Sequence, residues 1–281
     1  MSARAASLPS WETTAFRGFF ERQFHLYRRY WVWELVWFGY SVATVLSVGY
    51  LASGLDSIGA APSGVAVHRA QVYLVVGALL WTFMSLVFHE TSFAIVWERW
   101  EGTMEYTFMA PVRRLTHLAG ISLFSLTYGL VRSALIVVAV VLLIHLDLSH
   151  ADLLAAALVL GASTLPLMGL GIYVAILPLI SPEKGEQMTF AVQGILLLVS
   201  GVYYPLSVLP APFATLGRVS PLTYTLSGIR TALIDHQGIS AQVPTIALLV
   251  GMGALLIGTG LYAFSAAERR AKRLGLLKRN G

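Results

Sequence analysis

The chain has 281 residues, of which 57% are hydrophobic and 12% are charged, and its mean hydropathy is +0.72. A soluble domain carries about 25% charged residues, so this composition excludes a soluble globular protein. The absence of cysteine excludes a disulfide framework and a thiolate metal site. Several apolar runs reach the roughly 20 residues that cross a bilayer as a helix, and we therefore expect an all-α membrane protein.

The N-terminal segment, residues 1–31, is predicted to hold an amphipathic helix from Ser10 to Trp31. At helical spacing its aromatic side chains fall on one side and its basic side chains on the other, which is typical of a helix lying in a membrane interface. Two roles stay open, a simple anchor before the first span or a lever that also contacts a cytoplasmic partner. The residues that define the two faces include Phe16, Arg17, Phe20, Arg22 and Arg28.

Six apolar runs within residues 32–266 predict six transmembrane helices. Helix breakers in the fourth run, among them Pro166 and Gly169, predict a kinked helix that is packed inside a bundle. The predicted spans are Val32–Gly54, Ala70–Phe93, Leu118–His145, Leu153–Ile180, Met188–Tyr203 and Val243–Ala266.

The basic residues are distributed unevenly between the two sides of these spans. Most of the 19 Lys and Arg residues lie on the side that holds both termini. The positive-inside rule therefore predicts a multi-pass protein of the cell (inner or plasma) membrane with both termini, including the basic tail 267–281, in the cytoplasm. The same placement argues against nucleic acid as a partner, because these residues anchor the topology and contact lipid headgroups.

The stretch from Trp97 to Arg114 is a charged island between two apolar runs. If it forms one helix, its apolar residues share a face and its carboxylates line the adjacent edge. Such a helix would lie along the membrane surface and offer its carboxylates to a partner. The apolar face would hold Trp97, Trp100, Met104 and Phe108, and the acidic edge Glu98, Glu101 and Glu105.

Residues 201–230 are apolar, but prolines cut them into pieces too short to cross a bilayer. Such broken segments fit short helices that enter the outer leaflet and return, so we predict a re-entrant outer segment over residues 204–234. A plain extracellular loop is the alternative. Tyr204 suits the interfacial depth. The prolines are Pro205, Pro210, Pro212 and Pro221.

Few ionisable residues fall inside the predicted spans, where burying them is costly. Arg132 lies near the middle of the third span and Glu90 near the inner end of the second. Arg132 either pairs with a carboxylate or with backbone carbonyls and holds the helix register, or it faces a polar cavity that conducts a substrate. We predict no catalytic, cofactor-binding or metal-binding residue. The phosphate-binding pattern G-x-x-x-x-G-K-[ST] is missing, and Phe93 stands where a zinc-protease helix starting at His89 needs its second histidine.

Two segments at matching topological positions resemble the permease subunits of type-2 ATP-binding-cassette (ABC) exporters, the ABC-2 type transporter family, and the resemblance covers nearly the whole chain. Between spans two and three, the residues similar to the family pattern E-R-x-x-G-T-x-E…A-P are Glu98, Arg99, Gly102, Thr103, Glu105, Ala110 and Pro111. After span five, the residues similar to the second family motif are Gly201, Tyr204, Pro205, Leu209, Pro210, Ser220 and Pro221.

The resemblance implies a permease dimer, made with a second copy or a homologue, on two separate ATPase (nucleotide-binding) subunits that bind ATP and Mg. The chain itself would then be neither an enzyme nor a cofactor-binding protein. It would export an amphipathic or hydrophobic drug, lipid or glycan-lipid. The coupling helix 97–111 would dock on the ATPase through Glu98, Arg99, Glu101, Gly102, Thr103, Glu105 and Pro111.

Two other classes of function are weighed against this one. The first is a membrane-embedded enzyme that acts on lipid, with His89, Glu90 and Arg132 as its polar centre. The second is a purely structural membrane anchor, in which the charged island could be neutralised without functional cost. Neither explains why both motifs occur together.

Overall fold

The fold is entirely helical in the part of the chain that the computed structural model describes, residues 10–57, 64–144, 151–181, 183–235 and 237–276. Five of its helices are long and apolar enough to cross a bilayer, which confirms the expected all-α membrane architecture. The helices are α1 Ser10–Arg29, α2 Trp31–Ser57, α3 Gly64–Trp100, α4 Met104–Met109, α5 Arg114–Ile144, α6 Leu153–Val174, α7 Ile176–Ile180, α8 Gly185–Val199, a 3-10 turn Leu206–Val208, α9 Ala211–Val219, α10 Pro221–Leu233 and α11 Ile239–Arg273.

α3 and α11 are much longer than the spans predicted for them. α3, α5 and α11 contain 37, 31 and 35 residues, or about 46–56 Å at 1.5 Å per residue, whereas a bilayer core is about 30 Å thick. The helices continue past the predicted span ends at Phe93 and Ala266, since α3 reaches Trp100 and α11 reaches Arg273. A charged residue limits the part of a helix that lies in lipid, but the backbone hydrogen bonds continue through it.

The fifth predicted span, Met188–Tyr203, is shorter and shifted in the structure. α8 has 15 residues, or about 22 Å, less than the bilayer core of about 30 Å. It ends at Val199 because the chain then turns at Gly201, whose φ of +73° lies in the left-handed region. Among the described residues, five helices rather than the six expected reach full crossing length.

The fourth predicted span is interrupted, as its helix breakers indicate. α6 continues through Pro166 and ends at Val174, and α7 begins at Ile176. Pro178 has no N–H to donate to the carbonyl of Val174, so one backbone hydrogen bond of the helix is missing at this point.

α3 is the central helix of the bundle, and 56% of its most apolar stretch is buried. α2, α5, α6 and α10 pack against it. The main hydrophobic core runs along α3 and includes Phe83, Met84 and Val87. A second core lies where α3 ends and α5 begins, and it joins Met104 and Phe108 of α4 to α7 and α11. We call this the loop end of the bundle and the opposite one the far end.

α6 and α11 form the most extensive helix pair in the described structure. A Cβ atom on Gly253 of α11 would overlap Leu165 and lie 3.0 Å from the backbone nitrogen of Pro166. A Cβ atom on Gly169 of α6 would lie 2.6 Å from the Cβ of Leu256. The two glycines therefore allow the two backbones to approach closely, which strengthens the dispersion contacts between them.

We expect Gly253→Ala to lower thermal stability, because overpacking a close contact costs about 1–3 kcal/mol. Gly251→Ala is the matched control, since a Cβ at that position meets no described atom within 4 Å. Alanine is preferred to glycine inside a helix by about 0.5–1 kcal/mol, so the control is neutral or slightly stabilised. Thermal unfolding of the purified chain in detergent measures both, and equal midpoints would contradict the close packing.

Candidate functional site

The segment between α3 and α5 is not the single helix that the sequence predicts. α3 ends at Trp100, Gly102 turns the chain with a φ of +69°, and α4 spans six residues. The predicted continuous face was therefore wrong. Met104 and Phe108 are buried in the second core, whereas the side chain of Trp100 is 56% exposed. Glycine is required at position 102 because other side chains are strained at this φ.

Glu98 lies at the base of this loop and is completely buried. Its Oε1 accepts a hydrogen bond from Nη1 of Arg22 at 3.0 Å and lies 2.9 Å from Nε2 of His117. Nη2 of Arg22 donates to Oε2 of Glu101 at 2.8 Å. These four residues, which we call the loop-base cluster, tie α1, the end of α3 and the start of α5 together.

The burial of Glu98 decides its role. A buried carboxylate is tolerated only when it is paired and hydrogen-bonded, and Glu98 has partners on two other helices. Because no part of it is exposed, Glu98 holds the loop in place and cannot itself contact another protein. This differs from the expectation that it lies on an exposed acidic edge.

α1 packs along the first half of α5. Gly120 allows this approach, since a Cβ there would lie 2.9 Å from the Cβ of Phe19 and 3.0 Å from the carbonyl of Phe16. The ring of Tyr27 lies 4.5 Å from that of Tyr128. Part of the predicted aromatic face, including Phe19 and Tyr27, therefore packs on α5, whereas Phe24 stays exposed. Phe16 and Phe20 are half-buried, Arg17 and Arg28 are exposed, and Arg17 pairs with Glu21.

The start of α1 is fastened to the same end of the bundle. Glu12 is completely buried and accepts hydrogen bonds from the hydroxyl of Thr116 and, at 3.2 Å, from the backbone N–H of Arg113.

Arg99, in the last turn of α3, is half-buried and donates to the backbone carbonyls of Pro178 at 3.4 Å and Leu276 at 3.2 Å. The loop is thus held by contacts to α1, α5, α7 and the end of α11.

The opposite side of the loop is exposed and carries large side chains. Tyr106 is 79% and Met109 84% exposed. Glu101 is also exposed, and Gly102 and Thr103 are half-buried. Exposed apolar residues that cluster in this way mark interaction surfaces. We use the name exposed loop face for Trp100, Glu105, Tyr106, Met109 and Pro111, all of which are exposed.

Arg132 is buried between α5 and α2. Its Nη1 lies 3.4 Å from Oε2 of Glu34, and its Nη2 donates to Oγ of Ser41 at 3.0 Å. The hydroxyl of Tyr128 also donates to Glu34. This pairing supports the interpretation that Arg132 holds the register of two helices, and nothing in the described structure supports a cavity in front of it.

Glu90 and His89 have separate surroundings. Glu90 is buried and shares a hydrogen bond with Tyr27 of α1, and burial together with this carboxylate raises the pKa of the Tyr27 hydroxyl. The ring of His89 stacks on Phe93, with 3.8 Å between the ring centroids, and lies near Phe190 of α8. His89 therefore lies apart from Glu90, whereas Glu90, Tyr27, Glu34 and Arg132 are close enough to interact with one another. The described residues also contain no group of three or more candidate metal ligands.

The segment after α8 is a series of short helices that begin at or next to prolines. Pro205 precedes the 3-10 turn, Pro210 precedes α9 and Pro221 is the first residue of α10, in agreement with the preference of proline for helix starts. The hydroxyl of Tyr204 donates to the carbonyl of Leu198 at 2.7 Å. The predicted division into short pieces is confirmed, and their depth in a membrane stays a prediction.

Arg230 of α10 fixes the first turn of this segment. Its Nη1 donates to the carbonyl of Gly201 at 2.9 Å, and its Nη2 donates to that of Val202. The guanidinium also lies 3.5 Å from the ring centroid of Tyr73. Gly77 leaves room for the carbonyl of Val202.

The sequence profile of ABC-2 type transporters matches residues 14–234. The chain belongs to the ABC-2 type transporter family. The matched region begins within α1 and ends directly after α10, so it contains the loop-base cluster and the proline-rich segment. This ABC-2 protein, with its five long apolar helices, is a multi-pass membrane protein of a transporter family. Comparison with curated proteins finds no match.

Several residues that hold the loop between α3 and α5 could not be identified from the sequence. His117 and Glu12 are buried partners of this loop, yet no local sequence pattern connects them to it. The exposure of Tyr106 and Met109 could have been predicted, because at about 100° per residue they fall on the opposite side of a helix from Met104. This prediction requires knowing that the helix begins after Gly102.

We expect Glu98→Ala to destabilise the protein by about 3 kcal/mol, because it removes the buried partner of His117 and leaves Arg22 with Glu101 alone. Glu105→Ala in the same loop is the control, and its change stays within about 0.5 kcal/mol because the residue is exposed. Thermal unfolding in detergent measures the difference. A Glu98→Ala variant as stable as Glu105→Ala would show that the loop-base cluster does not hold the three helices.

Proposed function

We propose that this ABC-2 chain is the permease subunit of an exporter that is driven by a separate ATPase. The observation that carries the proposal is the exposed loop face, which presents Tyr106, Met109 and Glu105 on a base that is fixed by buried charge. Large apolar side chains rimmed by a carboxylate fit an apolar pocket with basic residues at its edge.

The loop end is proposed to face the cytoplasm. It holds the exposed basic residue Arg113 and the basic last turn of α11, which contains Arg270, Lys272 and Arg273. Described basic residues at the far end are fewer, namely Arg218 and Arg230. The positive-inside rule favours this orientation, and it would place the exposed loop face where ATP is available.

The residues of the loop divide into two groups under this proposal. Glu98 and Arg99 hold the loop, because both are turned toward the protein. Glu101, Glu105 and the two large apolar residues of α4 contact the ATPase. ATP and Mg would bind to the ATPase alone, and closure of that subunit would push on the loop and thereby on the helices to which it is tied.

The cargo is proposed to be an amphipathic or hydrophobic drug, lipid or glycan-lipid, carried by a dimer with a second copy or a homologue.

The six-span plan would be completed by α8. The first residue of α8 contacts α7 at the loop end, and the chain after α8 leads to Val202 beside Gly77. Gly77 is seven residues, or about 10 Å, past the start of the α3 span at Ala70. This depth supports a re-entrant far-end segment.

We expect Glu105→Arg to weaken assembly with the ATPase, because a reversed charge would face basic residues at the rim of the contact. The tagged chain is purified in mild detergent from cells that contain the ATPase, and ATP hydrolysis is measured in the eluate. We expect a loss of about tenfold, equal to about 1.4 kcal/mol. ATP-driven export should fall in parallel.

Glu183→Arg is the matched control, because Glu183 is an exposed carboxylate in the turn between α7 and α8 at the same end of the bundle. It should leave ATP hydrolysis in the eluate unchanged. If Glu105→Arg behaves like Glu183→Arg, the exposed loop face is not the docking surface. If the wild-type chain retains no ATPase and transports nothing, the proposed function itself is wrong.

A further inference from the structure

Arg99 makes contacts at the loop end that docking does not use. Its Nη2 donates to the carbonyl of Pro178 at 3.4 Å and to the carbonyl of Leu276 at 3.2 Å. Pro178 lies in α7 and Leu276 lies just past the end of α11. Helix C-termini present carbonyls without intrahelical partners, and they attract positive charge. One side chain of the loop therefore joins two other parts of the bundle.

The carbonyl of Pro178 depends on a donor from outside its own helix. In a continuous helix it would accept from the residue four positions later, and that residue is Pro182, which has no N–H. The guanidinium of Arg99 supplies a donor at this point. Arginine stays charged here, whereas glutamine is neutral and lysine has a shorter side chain with a compact ammonium group.

The end of α11 is shaped for the second contact. Gly275 has a φ of +68°, and the N–H of Leu276 donates to the carbonyl of Ala271 at 3.0 Å, which is the pattern of a glycine-ended helix. The side chain of Leu276 packs on the second core. Its carbonyl is thus held in place to accept from Arg99.

The contact at Pro178 extends to α8. A Cβ atom on Gly185, the first residue of α8, would overlap the backbone of Pro178. The N–H of Gly185 also donates to the carbonyl of Ser181 at 2.8 Å. Because these backbones are in direct contact, a displacement of α7 displaces the first turn of α8.

α8 is held at its two ends, and between them it contacts α3. Its buried residues are Gly185, Thr189 and Val199. At the far end, a Cβ on Gly217 of α9 would overlap the carbonyl of Val199, and the hydroxyls of Ser200 and Ser220 lie 3.2 Å apart. In its middle, the ring of Phe190 packs on those of His89 and Phe93. α8 therefore contacts α7, α3 and the far-end segment, and the α7 contact is the one that leads to Arg99.

We infer that Arg99 is a positioning residue that ties the loop to α7 and α11, and through α7 to α8 and the far-end segment. This inference deepens the proposed function, because it rests on an ATPase that moves the loop. Under this inference, α7, α8 and α11 have their own connection to the loop, separate from the Arg22–Glu98 connection to α1 and α5.

The connection can be tested on the full chain in lipid nanodiscs without an ATPase. The sequence contains no cysteine, so two introduced cysteines are the only labelling sites. Spin labels at Met109→Cys in the loop and Met188→Cys in α8 report the distance between them by pulsed electron paramagnetic resonance. Both positions are exposed. A second pair, Met109→Cys with Phe24→Cys, reports the distance from the loop to α1.

With Arg99 present, we expect one narrow distance distribution for both pairs. Arg99→Gln should add a second, longer population for the loop–α8 pair and leave the loop–α1 pair narrow, because Arg22 still binds Glu98 and Glu101. Arg99→Lys should give an intermediate result. Arg113→Gln is the matched control and should change neither pair, since its side chain is exposed and the backbone N–H that donates to Glu12 is kept.

A loop–α8 distribution that stays narrow in Arg99→Gln overturns the inference, and so does equal broadening of both pairs, which indicates general loosening. If Arg99→Gln does not yield monodisperse protein, Gly185→Ala replaces it. That variant keeps Arg99 and separates α7 from α8, so the same broadening is expected, and a narrow distribution overturns the inference.

Failure of the proposed function is separable from failure of this inference. In the complex with the ATPase, Arg99→Gln should retain bound ATPase and lose ATP-driven transport, whereas Glu105→Arg loses both. If no ATPase binds to the wild-type chain, the proposed function fails, while the distance measurements still decide whether Arg99 connects the loop to α8.

Discussion

The loop end of the bundle depends on one buried carboxylate, that of Glu98. A fully enclosed carboxylate costs several kcal/mol unless positive charge and hydrogen bonds compensate for it. Here the compensation comes from Arg22 on α1 and His117 on α5. Separating α1 from α3 would leave the Glu98 carboxylate without Arg22, and separating α5 from α3 would remove its His117 partner, so each separation is opposed by the loss of a buried contact. The exposed loop face therefore lies on a base that is held by three helices.

At both ends of the second half of the bundle, arginine side chains donate hydrogen bonds to backbone carbonyls that lack a partner within their own helix. Helices that are interrupted near lipid leave carbonyls that water cannot reach, and each needs a donor from the protein. Arg99 donates to the carbonyls of Pro178 in α7 and of Leu276 after α11, and Arg230 donates to those of Gly201 and Val202 after α8. α8 lies between these two arginines, which hold the chain before and after this short helix.

The helical architecture and the start of α1 follow from composition and periodicity alone. The single helix over 97–111 does not, because the phasing argument assumed an unbroken backbone and Gly102 breaks it. The end of α8 was predicted at Tyr203 rather than Val199 for the same reason, because Gly201 turns the chain. Of the two roles left open for Arg132, the structure supports the pairing role, since Glu34 and Ser41 surround it. A hydropathy profile shows that a charge is buried, but not what it meets.

The charged loop, the proline-rich far-end segment and the membrane character could all be read from the sequence, because local composition and spacing determine where a helix can form and where it must break. Only the tertiary structure decided which charges of the loop face inward. Arg22 and Glu98 are separated by 76 positions, and His117 lies on a third helix. Their pairing depends on how closely α1 approaches α5 at Gly120, and no local pattern in the chain encodes that distance.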